Sequence, residues 1–415
     1  QLEESSTATP YVKSDVTWTS RASNATYYDK DGEIRKSSYN QIVRSEELDQ
    51  FSSIDATITS NAIEAPNGTL TADKISDVNL VSSIVYQASF SGEADTTYTF
   101  SFWIKSVDGS SGTWGINHYN AGHNRMTVPV TGEWNRVSVQ FNNFSTSAVN
   151  NIYIADNRSG LASLTEAYIW GVQLEKGTYA GDYAKTEGTA ASTARTNAYL
   201  PDGSGNFVSA GELLLEEQRT NLYKYSEDFS QTEWYKGRTT ITTNAATAPD
   251  GTLTADAVTE TTSSGQHYVI DSFDVTSGVT YTVSWFAKAN GRTYVYCVFL
   301  GDFPSSSGTI DLNTGEFTVL SGTAITDTSW KDVGNGWYRV SFTATASGTG
   351  TGDILVGMAQ DATTFSYAGD TSLGMYFWGA QVEAGAFPTS YIPTFGSTAT
   401  RAADVSTSSS NTFGN

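Results

Sequence analysis

The sequence predicts an all-β protein made of tandem antiparallel β-sandwich domains, and three observations carry that prediction. Short runs of alternating apolar and polar residues recur about every ten residues, separated by Gly, Asn, Asp and Ser. The same runs appear twice: Tyr98–Lys105 (YTFSFWIK) returns as Tyr281–Lys288 (YTVSWFAK), and Ala65–Asp73 (APNGTLTAD) as Ala248–Asp256 (APDGTLTAD), both 183 residues later. Helical patterning is confined to Val43–Gln50 and Glu212–Gln218, each sufficient for a turn or two.

In the first of these strands Tyr98, Phe100, Phe102 and Ile104 face a core, opposite Thr99, Ser101, Trp103 and Lys105. Its copy sets Tyr281, Val283, Trp285 and Ala287 against Thr282, Ser284, Phe286 and Lys288. A closing strand, Tyr168–Glu175, matches Tyr376–Glu383 at an offset of 208, so the second copy carries extra residues before it. Alternation places Tyr168, Trp170, Val172 and Leu174 on one face of it, as it does Tyr376, Trp378, Ala380 and Val382. Trp134, Trp337, Trp170 and Trp378 are read as core. Turns are marked by Asn67-Gly68, Asp250-Gly251, Asp31-Gly32, Asp202-Gly203 and Asn313–Gly315.

The expected organisation is a tail of a preceding repeat over 1–24, a connector over 25–44, and a first domain over 45–186. A second connector spans 187–218, a second domain 219–395, and an exit linker 396–415. The tail is inferred from Gln1-Leu2-Glu3, which ends like the closing strand, and from the equal spacing of Tyr11 to Arg21 and Tyr391 to Arg401.

The chain has 415 residues and a net charge of −21 from 23 Lys+Arg and 44 Asp+Glu, so its overall field repels nucleic acid and anionic membranes. Cys297 is the only cysteine, lies in an apolar run and reads as a small buried residue. No run approaches the length of a membrane span, so no membrane insertion is expected.

Three pieces of each copy resemble the jelly-roll modules of the family 4/9 type of carbohydrate-binding domains. These are Tyr281–Ala289, Gly336–Thr343 (with Glu133–Val139 in the first copy) and the closing strand Tyr376–Glu383. The opening Arg219–Leu222 with Ser226–Phe229 and Trp234, and the exit Pro388–Pro393 leading to Thr400–Asp404, also resemble repeats of bacteriophage fibre and head-spike proteins. The resemblance implies jelly-roll sandwiches, a virion-surface location or a secreted one, a cell-surface polysaccharide and other fibre subunits as partners, and a homotrimer. Many such carbohydrate modules hold a structural calcium through an Asp-Asp pair in the closing strand. Trp170-Gly171 and Trp378-Gly379 stand there instead, so neither calcium nor any other cofactor is expected. Asp29–Glu33 alternates oxygen ligands but lacks the rest of a calcium loop and reads as a solvated turn.

Catalytic constellations are not shared by the two copies. His118, His123 and His267 fall at non-equivalent places, and Glu46-Glu47, Glu216-Glu217 and Glu227-Asp228 are adjacent pairs that point apart on an extended chain. A non-enzymatic binding protein is the expectation. Sugar rings stack on aromatic faces flanked by amides and hydroxyls, which singles out Trp103 and Phe286 on the polar strand faces, with Trp114, Tyr119, Tyr294 and Tyr296 on the next strand. His118 is either a loop-edge residue or part of that platform, and the aromatics are either the platform or packing beneath loops. The function read from this is a non-catalytic phage fibre or spike segment binding a host-surface glycan. The alternatives are the carbohydrate-binding region of a secreted polysaccharide-degrading enzyme and a purely structural spacer.

Overall fold

The computed structural model describes residues 16–19, 21, 23–78, 82–90, 92, 96–120, 122–142, 150–158, 160, 162–193, 195, 198–201, 206–209 and 214–408. The turn at Asp202-Gly203, the segment Gln1-Leu2-Glu3 and Tyr11 lie outside them, as do Glu212, Leu213 and residues 409–415. The fold is all-β. The one helical element among the described residues is the 3-10 turn Leu48–Gln50 within the predicted Val43–Gln50, and residues 214–218 form neither helix nor strand.

The chain forms two compact units. The first takes in the described residues of 20–24 and 37–193, the second those of 1–19, 25–36 and 194–415. Strands of the first unit are β1 (Ser52–Ile54), β2 (Thr57–Ile63), β3 (Ala72–Ser76), β4 (Ile84–Phe90), β5 (Tyr98–Ser106), β6 (Gly112–Tyr119), β7 (His123–Val130), β8 (Asn135–Phe141), β9 (Asn150–Asp156) and β10 (Ala167–Lys176). They make two antiparallel sheets, β7-β6-β9-β4-β1 and β8-β5-β10-β3-β2. Phe100, Phe102, Ile104, Ile169 and Leu174 from one sheet meet Trp114, Ile116, Ile152 and Ile154 from the other in one core.

The second unit repeats the plan with two strands added. Its strands are β11 (Tyr235–Gly237), β12 (Thr239–Ala246), β13 (Ala255–Glu260), β14 (His267–Val275), β15 (Thr280–Asn290), β16 (Tyr294–Gly301), β17 (Ser306–Asp311), β18 (Phe317–Ser321), β19 (Ile325–Asp332), β20 (Trp337–Thr345), β21 (Gly350–Ala359) and β22 (Gly374–Ala384). The sheets are β11-β14-β21-β16-β17-β18 and β12-β13-β22-β15-β20-β19. β18 and β19 are the additions and account for most of the larger offset of the closing strand. Cys297 is buried in this core, which pushes its thiol up. Val16–Thr19 pairs with Val405–Ser408, and Arg219–Asn221 with Ala399–Arg401.

The closing strands β10 and β22 depart from the predicted alternation. Gly171 and Gly379 adopt φ of +64° and +62°, and the pairing with β5 and β15 shifts register beside them. Ile169, Val172 and Leu174 therefore face the core, while Trp170 turns to the opposite face; Phe377, Ala380 and Val382 likewise oppose Trp378. A Cβ on Gly171 would lie 2.8 Å from the Trp103 ring, and one on Gly379 2.9 Å from Phe286, so the bulge needs glycine for both space and backbone.

That opposite face is buried too, beneath the chain that follows each closing strand. Gln173 and Glu175 are fully buried: Gln173 accepts from the Ala184 N–H at 2.8 Å, and Glu175 from the Gly181 N–H at 2.8 Å. Gln381 and Glu383 do the same for the N–H groups of Ile392 and Thr389, at 2.7 and 2.8 Å. Arg136 donates to Ser101 and to the Gly181 carbonyl, and Arg339 to Ser284 and the Thr389 carbonyl. Asn40 and Asn221 sew the opening segment to the same place. Asn221 donates to the carbonyls of Ala380 and Ile392 and accepts from the N–H groups of Tyr223 and Val382; Asn40 repeats this with Val172, Ala184, Ile42 and Leu174. Asn40→Ala or Asn221→Ala strands these backbone groups without water, and each should lower unfolding free energy in urea by about 3 kcal/mol.

The strap carries a tyrosine whose hydroxyl meets a Ser-Glu pair. Tyr391 bonds Ser226 at 2.6 Å and donates to Glu227 at 2.9 Å, as Tyr183 does with Ser45 and Glu46 at 2.7 and 3.0 Å. Burial, reinforced by the nearby Asp250 charge, pushes Glu227 up to about 8 from its ordinary 4.5. A folded value above the unfolded one means that its stabilising contribution is complete below about 4.5 and is lost as pH rises through 8. Glu227→Gln should therefore gain on the wild type as pH rises across that window, read as the difference in thermal midpoint at each pH.

Candidate functional site

The residues singled out as a sugar platform fall into three groups. Trp114 and His118 lie on the inner side of β6, both fully buried. Trp114 Nε1 donates to the Ile154 carbonyl at 2.6 Å, and His118 Nε2 lies 3.3 Å from Asn150 Oδ1. Neither has a face to offer a ligand, which corrects their assignment. Phe286 is corrected for the same reason: it does lie opposite the core as alternation requires, yet it is enclosed by Trp378 at 5.3 Å, Tyr391 at 6.2 Å and the Arg339 guanidinium at 5.4 Å. Trp103 occupies the matching place against Trp170, Tyr183 and Arg136, at 5.1, 5.5 and 4.6 Å, and is partly covered. These rings are the packing of the strap. Trp170, Trp337 and Trp378 are buried as expected, whereas Trp134 is partly exposed, its Nε1 donating to the Glu64 carbonyl.

Tyr294 and Tyr296 lie on the outer side of β16, among Tyr268, Ile270, Leu300, Leu355 and Phe365. Tyr296 is buried, stacked on Phe365 at 5.0 Å, so it too is corrected. Tyr294 stays partly exposed, its phenol raised by the charge of Asp311. This outer face is apolar.

Tyr119 alone of the first-copy candidates leads to a polar, open surface. It lies one residue from His118 and so on the other side of β6, the outer face of the β7-β6-β9-β4-β1 sheet. Four strands place Arg125, Asn117, Tyr153 and Tyr86 directly opposite one another in a single row. At about 4.8 Å per strand the row spans roughly 14 Å, room for about three sugar rings. Tyr153 and Tyr86 stack at 4.9 Å and 24°, and Tyr119 and His123 pair beside them with ring centres 4.8 Å apart. Tyr86, Tyr119, Arg125 and Arg158 are partly exposed and His123 is exposed, while Asn117 and Tyr153 between them are buried.

Asp156 organises the row from beneath. It is buried, accepts from Asn117 at 2.9 Å and Arg125 Nε at 3.2 Å, and binds Arg158 through Nε and Nη2 at 2.9 and 2.7 Å. Burial alone would raise its carboxyl, but Arg158 and then Arg125 hold it below the ordinary range. His123, though exposed, is lowered by partial desolvation and then by the charges of the same two arginines, which favours a neutral ring. Sequence reasoning missed Tyr86, Arg125, Tyr153, Asp156 and Arg158. They come from three strands and the residues just past β9, and only the register brings them together.

The buried acids elsewhere are committed to structure. Glu216 lies between Arg195 and Arg401, which, against burial, hold it down to about 2, while Asp404 also meets Arg195. Glu260 is held by Arg292 and the Tyr367 hydroxyl. Asp29 accepts from the N–H groups of Asp31 and Glu33 and from Arg35, which occupies the oxygens of the Asp29–Glu33 turn. Among the described residues no three His, Cys, Asp or Glu side chains gather as a metal set.

No protein-family model and no curated protein matches this chain. Among solved structures it is similar to the N-terminal CBM22-1–CBM22-2 tandem domain of Xyn10C from Paenibacillus barcinonensis, at 10% identity and a TM-score of 0.30, over 85% of this chain and 98% of that one. The CBM22-1–GH10 modules of a Clostridium thermocellum endo-1,4-β-D-xylanase, complexed with xylohexaose, give 16% identity and a TM-score of 0.26, over 35% and 29%. A Paenibacillus sp. cycloisomaltooligosaccharide glucanotransferase gives 10% and 0.24, over 79% and 47%. With TM-scores this low the likenesses carry no functional inference, which has to come from the chain's own side chains.

Asp156→Ala leaves two part-buried guanidinium groups without their counter-charge. It should cost about 3 kcal/mol in chemical denaturation, whereas Arg125→Ala, which removes the weaker contact, should cost under about 1 kcal/mol.

Proposed function

We infer that the chain is a non-catalytic glycan-binding segment, and the observation that carries the reading is the cluster of partly or fully exposed Tyr86, Tyr119, His123 and Arg125, which the register Arg125–Asn117–Tyr153–Tyr86 sets on one sheet face above the buried Asn117 and Tyr153. Aromatic rings offer the C–H faces of a sugar a surface to stack on, and the flanking guanidinium and imidazole groups meet its hydroxyls. The buried carboxylates described above support a binding rather than a hydrolytic role, because they are engaged by arginine, tyrosine hydroxyl or backbone N–H groups within the fold.

The finer reading is a segment of a phage fibre or spike on the virion surface, contacting a host-surface polysaccharide and other fibre subunits, as a homotrimer. Its support is the tandem repetition and the resemblance of the opening and exit motifs to fibre repeats. A single shallow site suffices there, since copies along a fibre multiply avidity. The same face would serve the carbohydrate-binding region of a polysaccharide-degrading enzyme, and the polymer bound separates the two: a bacterial surface polysaccharide for the fibre, a structural polymer such as xylan for the enzyme.

Glycan-array and equilibrium binding with the full chain test the reading. Tyr86→Ala with Tyr119→Ala should weaken binding about tenfold, from roughly 0.5–1.5 kcal/mol per ring. Trp103→Ala should lower the thermal midpoint and leave glycan affinity unchanged. Absence of binding to every glycan, the host's own polymer included, would leave the spacer as the role of both units.

A further inference from the structure

The binding row carries more positive charge than its acid neutralises. Arg125 and Arg158 share Asp156, and among the described strand residues on this face Asp156 is the only carboxylate. Arg158 is spent on it: Nε and Nη2 both donate to the carboxylate, and the guanidinium lies 5.5 Å over the Tyr153 ring. Arg125 is engaged through Nε alone. Its two Nη groups make no hydrogen bond to a described residue, and its side chain is 26% exposed. In a chain of net charge −21 this is a local reversal of sign, placed at the end of a row of tyrosines.

We propose that this face takes an acidic glycan, a polymer bearing uronate-type carboxylates, with a carboxylate on the outer edge of Arg125 and the sugar rings along Tyr86 and Tyr119. The proposal rests on the glycan-binding reading and narrows it. The paired Nη groups of a guanidinium match the two oxygens of a carboxylate, and a charge-assisted pair is stronger than a bond from a neutral hydroxyl. Asp156 fixes Nε on the opposite edge, so the guanidinium is already oriented before the ligand arrives. Neutral His123 beside it, its Nδ1 accepting from Asn117 Nδ2 at 2.9 Å, adds an Nε2 donor for a ring hydroxyl without competing for the anion. The second unit's corresponding face gathers Tyr294, Val298, Leu300 and Leu355, so the acid preference belongs to the first unit.

The test is equilibrium binding of the full chain to polygalacturonate and to its carboxyl-reduced form, with hyaluronan as a second acidic probe. The acidic polymer should bind at least about tenfold tighter than its reduced form, and the gap should close in high salt and in Arg125→Gln. Arg125→Lys, which keeps the charge but loses the fork, should retain part of it, and thermal melts establish that each variant is folded. Equal affinity for the two polymers, or a preference that survives Arg125→Gln, overturns the proposal. If both polymers then bind and Tyr86→Ala weakens both, the glycan-binding reading stands without it. No binding to any polymer overturns both.

Discussion

In each unit the fold depends on a polar interaction that a sandwich does not normally bury: the glutamine and glutamate of the closing strand, held by the chain that crosses back over them. Gln173 and Glu175, like Gln381 and Glu383, are fully removed from water, and burying amide and carboxylate groups is costly unless each is bonded. The strap's own N–H groups supply those bonds. The strap and the strand therefore form together, and the strap's tyrosine then seals Trp170 or Trp378 beneath it, at 4.8 and 4.7 Å. An asparagine in the opening segment bonds to both, so the start and end of each unit close on one point.

The repeated Trp-Gly pair follows from that arrangement. One residue of positive φ lets Trp170 and Trp378 leave the core side of the strand and lie under the strap, and a side chain at the glycine would collide with the ring on β5 or β15. The repeated Ala-Pro-Asn/Asp-Gly-Thr motif has an equally local cause. Asn67 and Asp250 each accept from the backbone and hydroxyl of the following Thr69 or Thr252, and Gly68 and Gly251 take φ near +80° to close the turn. Recurrence in this chain marks the core strands, the turn and the groups that satisfy buried backbone.

The proposed binding chemistry lies where recurrence ends. The first unit's outer face has a charged and aromatic row, and the second unit's has an apolar one, although the strands beneath correspond. Divergence on a shared scaffold fits a protein whose copies share architecture but not ligand contacts. Positions free of the core and strap networks are the ones able to diverge, and the exposed edge of Arg125 is one of them.

Much of the fold was legible in the residues themselves. Period-two alternation in Tyr98–Lys105 and Tyr281–Lys288 named the core side of each strand correctly, because a side chain's face in a strand depends only on its parity. The same rule placed Trp103 and Phe286 opposite the core, yet parity says nothing of what covers that side, and the strap that encloses them starts dozens of residues later. It misplaced Trp170 and Trp378 because a single bulge reverses parity beyond it. Tyr119 was picked together with Trp114 and His118, although parity sets it on the other side of β6; burial shows which of the two sides is the inner one. Arg125, Asn117, Tyr153 and Tyr86 had no sequence signal to join them, since their neighbourhood exists through the pairing of four strands. Local pattern thus determined strand, turn and core; register and the return of distant chain decided which polar and aromatic groups meet solvent side by side.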